Sequence, residues 1–540
     1  MTWTKRGGGV LKFNAFPKLG HWRVRKKPNF LKCAEGPKRP LLEGNQMTIA
    51  LKKTAAIAIA AGLTFAGSAG IAAQDAMAQE NGPAVAKSTI DVAKKGSITL
   101  YKKADPESLG TPTGEEDTTV KGENLKDAGF TLYPVTNADL TTNAGLVAAS
   151  KLTAGSAKLG TPFAEVKTDK DGKIVWSDLK VGVYLVKETS PVAGYSPAAD
   201  FLVFVPMTKA NAQAGGTEWM YDVVAYPKNY KQKEPKKSVV DSGKNVSQQV
   251  EYTIDTWAQT IDTDRQKRTI YRIEDTLDPK ASTTEKDVQV LGNDFEPSDY
   301  KIKVEGQKVV VTFTEAGVAK IKNGQQISVK ITAKVNEMPA NGILKNTAVQ
   351  IENNPNNVQE EKKKPTNDVE TRYAGIQFKK VSKERKPLEG AEFQVYGATD
   401  GQDCKAAVTN DKALQTTEGK STFVSGQDGM VKIDGLHVND GANNDPNTKN
   451  QWTKYCLVET KSPKGFELLS QPIEFTLLWK NAGTLQNIKV GDNDGEVVNL
   501  EDTTPFLPNT GGMGIAILIL AGLGIIGGGA YVARRNSQAA

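Results

Sequence analysis

The chemistry open to this chain rests on lysines set among apolar residues. In an extended strand, residues i, i+2 and i+4 share a face. Ile98, Leu100 and Lys102 therefore point together, as do Ile376, Phe378 and Lys380. If the apolar members face a core, an amine is buried with them. The same periodicity sets Glu188 with Tyr184 and Val186, and Glu459 with Leu457, on faces carrying large apolar side chains. A buried ion pair is one reading of such groups. The other is covalent: burial lowers an amine's pKa and raises a carboxyl's, so the pair can exist as neutral amine and neutral acid. A neutral amine is a nucleophile, and a protonated carboxyl beside it can hydrogen-bond an asparagine amide and relay protons while ammonia leaves. Effective molarities of about 10⁵ M or more would carry a single slow turnover without an elaborate active site. An asparagine ends a candidate last strand in each case, Asn229 and Asn499.

The elements that must hold these groups are strands. Short alternating runs punctuated by Asp-Gly turns recur through the body, among them 97–101, 173–176, 183–186, 201–205, 309–313 and 327–335. No long helical period appears outside the two ends of the chain, and the pattern predicts an all-β chain of tandem immunoglobulin-like sandwiches. Comparing the chain with itself reveals a repeat. Ile98-Thr-Leu-Tyr-Lys102 matches Ile376-Gln-Phe-Lys-Lys380, and Leu125-Lys-Asp-Ala-Gly-Phe-Thr-Leu-Tyr133 matches Leu388-Glu-Gly-Ala-Glu-Phe-Gln-Val-Tyr396. Asp171-Gly172 answers to Asp428-Gly429, and the runs 184–195 and 455–466 share a tyrosine, a Glu-Thr pair, a proline and a Gly-aromatic ending. Two copies of one sandwich thus flank a different middle segment. The polar, proline-bearing stretches 231–236 and 360–367 read as linkers, giving domains over 79–230, 237–370 and 373–502. The Asn- and Asp-rich stretch 439–450 reads as a solvated insertion. It lacks the Asp-x-Asp-x-Asp-Gly spacing of a calcium loop, and whether it takes a metal is left unknown.

The ends of the chain indicate export. Residues 1–46 carry eleven Lys and Arg against Glu35 and Glu43, and read as a basic leader upstream of a true start at Met47. Residues 47–78 have the form of a secretory signal: Lys52-Lys53, an apolar segment over 54–73, and Ala76-Met77-Ala78 before Gln79. The net charge of +7 falls on the leader, the signal and the tail; the exported body is net acidic, which argues for no nucleic-acid partner. Cys33 lies in the leader, so Cys404 and Cys456 read as one disulfide. With His21 and His437 as the only histidines, a His-based triad or a histidine-rich metal centre is excluded, and no cofactor is expected. At the far end, Leu507-Pro508-Asn509-Thr510-Gly511 precedes an uncharged, mostly apolar run over 512–533 and then Arg534-Arg535. About 20 apolar residues at roughly 1.5 Å rise cross a bilayer core, and arginines beyond them hold that end in the cytoplasm. A C-terminal transmembrane helix is therefore expected within 507–540.

The order of pentapeptide, span and basic tail resembles the sorting signal of Gram-positive surface proteins. In that family sortase cuts between the threonine and the glycine, here Thr510 and Gly511, and discards the span. The runs from Tyr184 and Tyr455 resemble the Tyr-x-Leu-x-Glu-Thr-x-x-Pro-x-Gly-Tyr box of Cna protein B-type domains, with Cys456 and Phe466 as departures. That resemblance implies Glu188 and Glu459 as proton shuttles for isopeptide bonds joining Lys102 to Asn229 and Lys380 to Asn499. The middle domain resembles the other sandwich type of the same family, which implies Lys237, Asp275 and Asn346, with Lys236 and Asp255 as alternatives. Trp219-Met-Tyr-Asp-Val223-Val-Ala-Tyr226-Pro227-Lys228 resembles the pilin motif Trp-x-x-x-Val-x-Val-Tyr-Pro-Lys of sortase-assembled backbone pilins, with Ala225 for the second valine. Strand alternation sends Lys228 and Asn229 to opposite sides, so an inward Asn229 leaves Lys228 facing out, and Pro227 marks an edge or a domain border.

Taken over the whole body, the chain resembles an actinobacterial-type major pilin. The resemblance implies a structural subunit of a covalently polymerised surface pilus, in which a pilus sortase joins Thr510 of one subunit to Lys228 of the next. Identical subunits would run head to tail, peptidoglycan would hold the base, and minor or tip pilins and a host receptor would be further partners. The chain would be a sortase substrate and no enzyme beyond its own autocatalytic isopeptide formation. The alternative is a monomeric wall-anchored adhesin for a host protein or glycan. An extracellular hydrolase is disfavoured, because the obvious glutamates are assigned to sandwich cores.

Overall fold

The computed structural model describes residues 88–106, 112–211 and 216–503. The leader, the signal peptide, the 507–511 pentapeptide and the apolar run after it lie outside the described residues. Among the described residues no helix is long and apolar enough to cross a membrane. The regular structure of the described residues is mostly strand. Its α-helices are short: Asn143–Ala149, Glu315–Lys320 and Cys404–Asn410.

Gly96–Tyr101 buries alternate residues Gly96, Ile98 and Leu100. It lies between Lys173–Leu179, antiparallel, and Asp222–Ala225, parallel. A second sheet runs in the order Val166–Lys167, Gly129–Pro134, Gly182–Ser190, Phe201–Val205. The two share one core, in which Ile98 and Leu100 cluster with Phe130, Leu132 and Val186. The inward alternation continues past the strand to Lys102, which is completely buried. Alongside it, Lys228–Asn229 pairs in parallel with Lys103–Ala104.

In the middle segment Gln249–Trp257 is flanked by Lys236–Val240 and Gln326–Val335. In the other sheet Tyr271–Thr276 lies between Lys308–Phe313 and Ala348–Asn354. Tyr252, Ile254, Val329 and Ile331 meet Tyr271, Ile273, Val309 and Val311 in a second core. The third core repeats the plan of the first. Val369–Ser382 has Met430–His437 antiparallel on one side and Glu496–Asn499 parallel on the other. In the companion sheet Glu392–Ala398 lies between Phe423–Val424 and Lys454–Lys461. Cys404 and Cys456 are joined in a disulfide with a Cα–Cα distance of 5.5 Å.

Three local expectations are corrected. The stretch read as a linker over 360–367 belongs largely to the strand Asn357–Pro365, which pairs with Ala348–Asn354 at the end of its sheet. Its row of charges is the composition of an edge strand that resists further pairing. Nor is there a gap between 370 and 373. Val369–Ser382 is one strand of 14 residues that passes from the middle core, through Val369 and Tyr373, directly into the third, through Ala374, Ile376 and Phe378. The 439–450 insertion is not simply solvated, because it docks on the middle segment. Asp241 and Asn443 exchange backbone-to-side-chain hydrogen bonds of 3.1 and 2.6 Å. Asn450 Oδ1 accepts from the Gly243 N–H at 2.8 Å, and Asn444 Oδ1 from the Glu370 N–H at 2.8 Å. Asparagine amides supply both donors and acceptors, so they can match a neighbour's backbone where water would otherwise serve.

Candidate functional site

The first centre forms where the strand after Leu100 meets the box strand Gly182–Ser190 and the two-residue strand Lys228–Asn229. Lys102 Nζ donates to Glu188 Oε2 at 3.1 Å and to Asn229 Oδ1. Asn229 Nδ2 donates to Glu188 Oε1 at 2.7 Å, closing a triangle of amine, carboxamide and carboxyl. The Ala198 N–H donates to Glu188 Oε2 at 2.6 Å and holds the carboxyl in place. Lys102 and Asn229 are wholly buried. Burial pulls the Lys102 amine down to about 8, against the opposing pull of Glu188. The amine is thus far more often neutral near neutral pH than an ordinary lysine, and the neutral form is the one that attacks an amide carbon.

The third centre reproduces this arrangement. Lys380 Nζ donates to Asn499 Oδ1 and lies 3.3 Å from Glu459 Oε1. Asn499 Nδ2 donates to both Glu459 oxygens, at 2.9 and 3.1 Å, and the Leu469 N–H donates to Oε2 at 2.9 Å. Burial lowers the Lys380 amine to about 8, with Glu459 opposing. In the middle core Lys237 Nζ donates to Asp275 Oδ2, and both groups are buried. Burial lowers the Lys237 amine and raises the Asp275 carboxyl, each opposed by the other. The buried Asn346 amide adjoins Asp275 and Tyr252, and its interaction with each opposes the upward push of burial on their acidic groups. Lys236 is exposed, and Asp255 is taken up by Ser328 and Gln326, so neither alternative reaches this centre.

Lys228 occupies the opposite side of its strand from Asn229 and is half-buried rather than fully outward. Burial lowers its amine, the Arg265 guanidinium of the middle segment lowers it further, and Asp117 opposes them. The motif is braced from outside the strand. Tyr226 stacks on Tyr101 with ring centroids 5.5 Å apart, and its hydroxyl accepts from the Asp117 N–H at 2.8 Å.

Sequence reasoning missed several supporting groups. An aromatic ring lies by each buried amine: Phe130 at 5.3 Å from Lys102, Phe393 at 5.7 Å from Lys380 and Tyr252 at 4.8 Å from Lys237. Phe130 and Phe393 hold equivalent places in the repeated block ending at Tyr133 and Tyr396, so the repeat itself carried that signal. The backbone donors Ala198 and Leu469 each follow their glutamate by ten residues. A backbone N–H has no residue-type signature and could not be found this way.

Comparison with known proteins finds pilin families over both outer sandwiches. Residues 93–230 match the Gram-positive pilin subunit D1 N-terminal domain family, and residues 374–494 match the SpaA prealbumin-like fold domain family. The first of these spans the Lys102, Glu188 and Asn229 centre together with Lys228. The class defined by fold and site is therefore that of Gram-positive pilin subunits. The fimbrial subunit type 1 of Actinomyces viscosus is 30% identical over 89% of this chain and 97% of its own length. The type 2 subunit of Actinomyces naeslundii is 30% identical over 80% of this chain and 87% of its own. The full-length major pilin SpaD from Corynebacterium diphtheriae superposes with a TM-score of 0.62 at 33% identity, over 77% of this chain and 99% of that one. The chain belongs to the family of actinobacterial-type major pilins.

Proposed function

We propose that the chain is a pilus subunit polymerised covalently through Lys228 and Thr510, and that its three sandwiches are each closed by an internal isopeptide bond. The observation that carries the polymerisation step is the half-buried Lys228, whose amine is lowered by burial and by Arg265. Sortase would hold the Thr510 carbonyl of one subunit as a thioester. The neutral Lys228 amine of the next attacks that carbon, the new C–N bond forms, the C–S bond breaks, and the amine proton passes to the departing thiolate. The basal subunit would end on a peptidoglycan amine instead.

For the internal bonds, the Lys102 or Lys380 amine attacks the carbonyl carbon of Asn229 or Asn499. The Nζ–C bond forms and the C–Nδ2 bond breaks. Glu188 or Glu459, which touches both nitrogens, carries the proton from one to the other, and ammonia leaves. Asp275 would serve Lys237 and Asn346 in the same way. Support comes from the C. diphtheriae major pilin SpaA, whose structure points to a modular pilus assembly with stabilizing isopeptide bonds. It aligns with a TM-score of 0.52 at 25% identity, over 75% of this chain and 100% of that one.

The test of polymerisation is Lys228→Ala in cells that carry the sortase. High-mass ladders on denaturing gels are expected to vanish. Ladders of unchanged intensity would overturn Lys228 as the acceptor, and absence of ladders from the unaltered chain would favour the monomeric adhesin. Tandem mass spectrometry of digested fibres should find Lys228 and Thr510 in one branched peptide.

A further inference from the structure

Gln232 and Lys364 come from the two polar stretches that read as linkers, and the fold brings them together. Gln232 belongs to the first sandwich: its N–H donates to the Gly194 carbonyl at 2.7 Å, and the preceding Lys231 bridges to Tyr195. Lys364 belongs to the middle one, on the edge strand Asn357–Pro365 opposite Gln350. Lys364 Nζ donates to Gln232 Oε1. Both side chains line a cleft of about 630 Å³ between the two sandwiches, and Glu352 lines it with them. Glu352 stands two residues from Gln350 on the same strand face, is buried, accepts from Gln350 Nε2 at 2.8 Å and lies 3.4 Å from Arg268 Nε. An amine and a carboxamide thus meet in a cleft that a carboxyl also lines; unlike in the lysine centres, the carboxyl touches Gln350, Gln259 and Arg268 rather than the reacting pair, and the site crosses a domain border and uses glutamine.

We propose that Lys364 and Gln232 are joined by an isopeptide bond that locks the first sandwich to the middle one. The Lys364 amine attacks Cδ of Gln232. The Nζ–Cδ bond forms, the Cδ–Nε2 bond breaks, the amine proton passes to Nε2 with Glu352 relaying it through a water of the cleft, and one ammonia leaves. No oxidant or co-reactant is required. The protonation states fit the step. Burial lowers the Lys364 amine, opposed by Glu352 and Glu234, and burial raises the Glu352 carboxyl, opposed first by Arg268. Other polar contacts across this border are reversible, such as Gln266 Nε2 to the Pro197 carbonyl at 3.0 Å and Asn356 Nδ2 to the Ala198 carbonyl at 2.7 Å. A covalent bond here would turn that docking into a fixed joint within each subunit.

This bond lies outside the three internal ones and is detected by different peptides. Tryptic digestion of the full chain should yield Gln232-Lys233 joined to the 364–372 peptide, one ammonia lighter than their sum. Recovery of the two peptides only in unlinked form would overturn the proposal. Lys364→Arg should remove this branched peptide and leave those of Lys102 and Lys380 in place, which also reports that the chain still folds. Persistence of the same branch in that variant would overturn the assignment. Glu352→Gln should lower its yield at least tenfold, and an undiminished yield would remove Glu352 from the reaction. Loss of all branched peptides in the unaltered chain would count against the internal bonds as well, whereas loss of this one alone counts only against the border bond.

Discussion

Lys228 and Asn229 stand back to back on one two-residue strand, Asn229 wholly buried against Lys102 and Glu188 and Lys228 half-buried on the other side. A fibre joined through Lys228 and Thr510 carries tension along residues 228–510, and the first sandwich, whose strands precede Lys228, hangs outside that path. An amide between Lys102 and Asn229 would then fasten the sandwich to the acceptor strand without bearing load. Asn229→Ala should therefore leave polymer ladders intact and add no unfolding event in single-molecule pulling on fibres, while lowering the melting temperature of the first sandwich. A new unfolding event of that sandwich in the variant fibre would overturn this load path.

The acceptor amine must be neutral to attack, so its surroundings set the pH at which assembly runs. Arg265 lowers the Lys228 amine and Asp117 raises it. Arg265→Ala should shift the rate profile of sortase transfer to higher pH and slow the reaction near neutrality. Asp117→Asn should shift it the other way. Transfer of an LPNTG peptide to the purified subunit, measured from pH 6 to 10, reads both; coincident profiles would dismiss the electrostatic account.

In the third centre, Glu459→Gln keeps the shape of the carboxyl but cannot relay protons as an acid. Intact mass, once the substitution itself is allowed for, should then be one ammonia higher than in the unaltered chain. The proposed bond would span 119 residues, and by chain entropy a cross-link of roughly that span is worth about 5 kcal/mol. Loss of it should lower the melting temperature by on the order of 10 °C. An unchanged mass would show that the carboxyl is dispensable.

A pH signature separates linked from unlinked protein. In Asn499→Ala the Lys380 amine stays free and buried, with a value of about 8 against 10.5 in an unfolded chain. Between these values the unfolded chain binds a proton that the folded one does not, so stability should rise as pH climbs from about 8 to about 10.5. Below about 8 the full penalty applies. Where the amide has formed, Nζ cannot titrate and this rise should be missing. Urea unfolding at a series of pH values tests it.

What could be read from sequence was local or repeated. Lys102 and Lys380 stood out because a strand's two-residue period carries them into the core with Ile98 and Phe378, and because the blocks recur. The edge strand over 357–365 was hidden because its charges look the same on a linker as on the rim of a sheet. The 439–450 insertion misled for a related reason: Asn and Asp mark solvated loops, but Asn443, Asn444 and Asn450 spend their amides on Asp241, Gly243 and Glu370, which are remote in sequence. The meeting of Gln232 with Lys364 depends on how two sandwiches dock, which no local pattern encodes.

The 439–450 insertion docks at a border that one strand crosses without a break. The middle and third sandwiches share the continuous strand Val369–Ser382, and at their border Asp241 and His437 are both buried, with His437 Nε2 3.4 Å from Asp241 Oδ2. Burial pushes the Asp241 carboxyl up, but His437, Thr371 and the Asn443 N–H outweigh it and hold the group below its ordinary 3.8. A carboxyl depressed in the folded state contributes stability that is present above its unfolded value and is lost as pH falls through the folded one. The two sandwiches should therefore unfold as a single calorimetric transition at neutral pH and down to about pH 4, and come apart only in stronger acid. Asp241→Ala removes the acceptor of the Asn443 N–H and leaves that donor unsatisfied, at a cost of about 1–3 kcal/mol. It should split the transition in two at neutral pH while leaving intact the mass change that reports the Lys237 and Lys380 bonds. A single transition in the variant would mean that the shared strand couples the two sandwiches without help from the insertion.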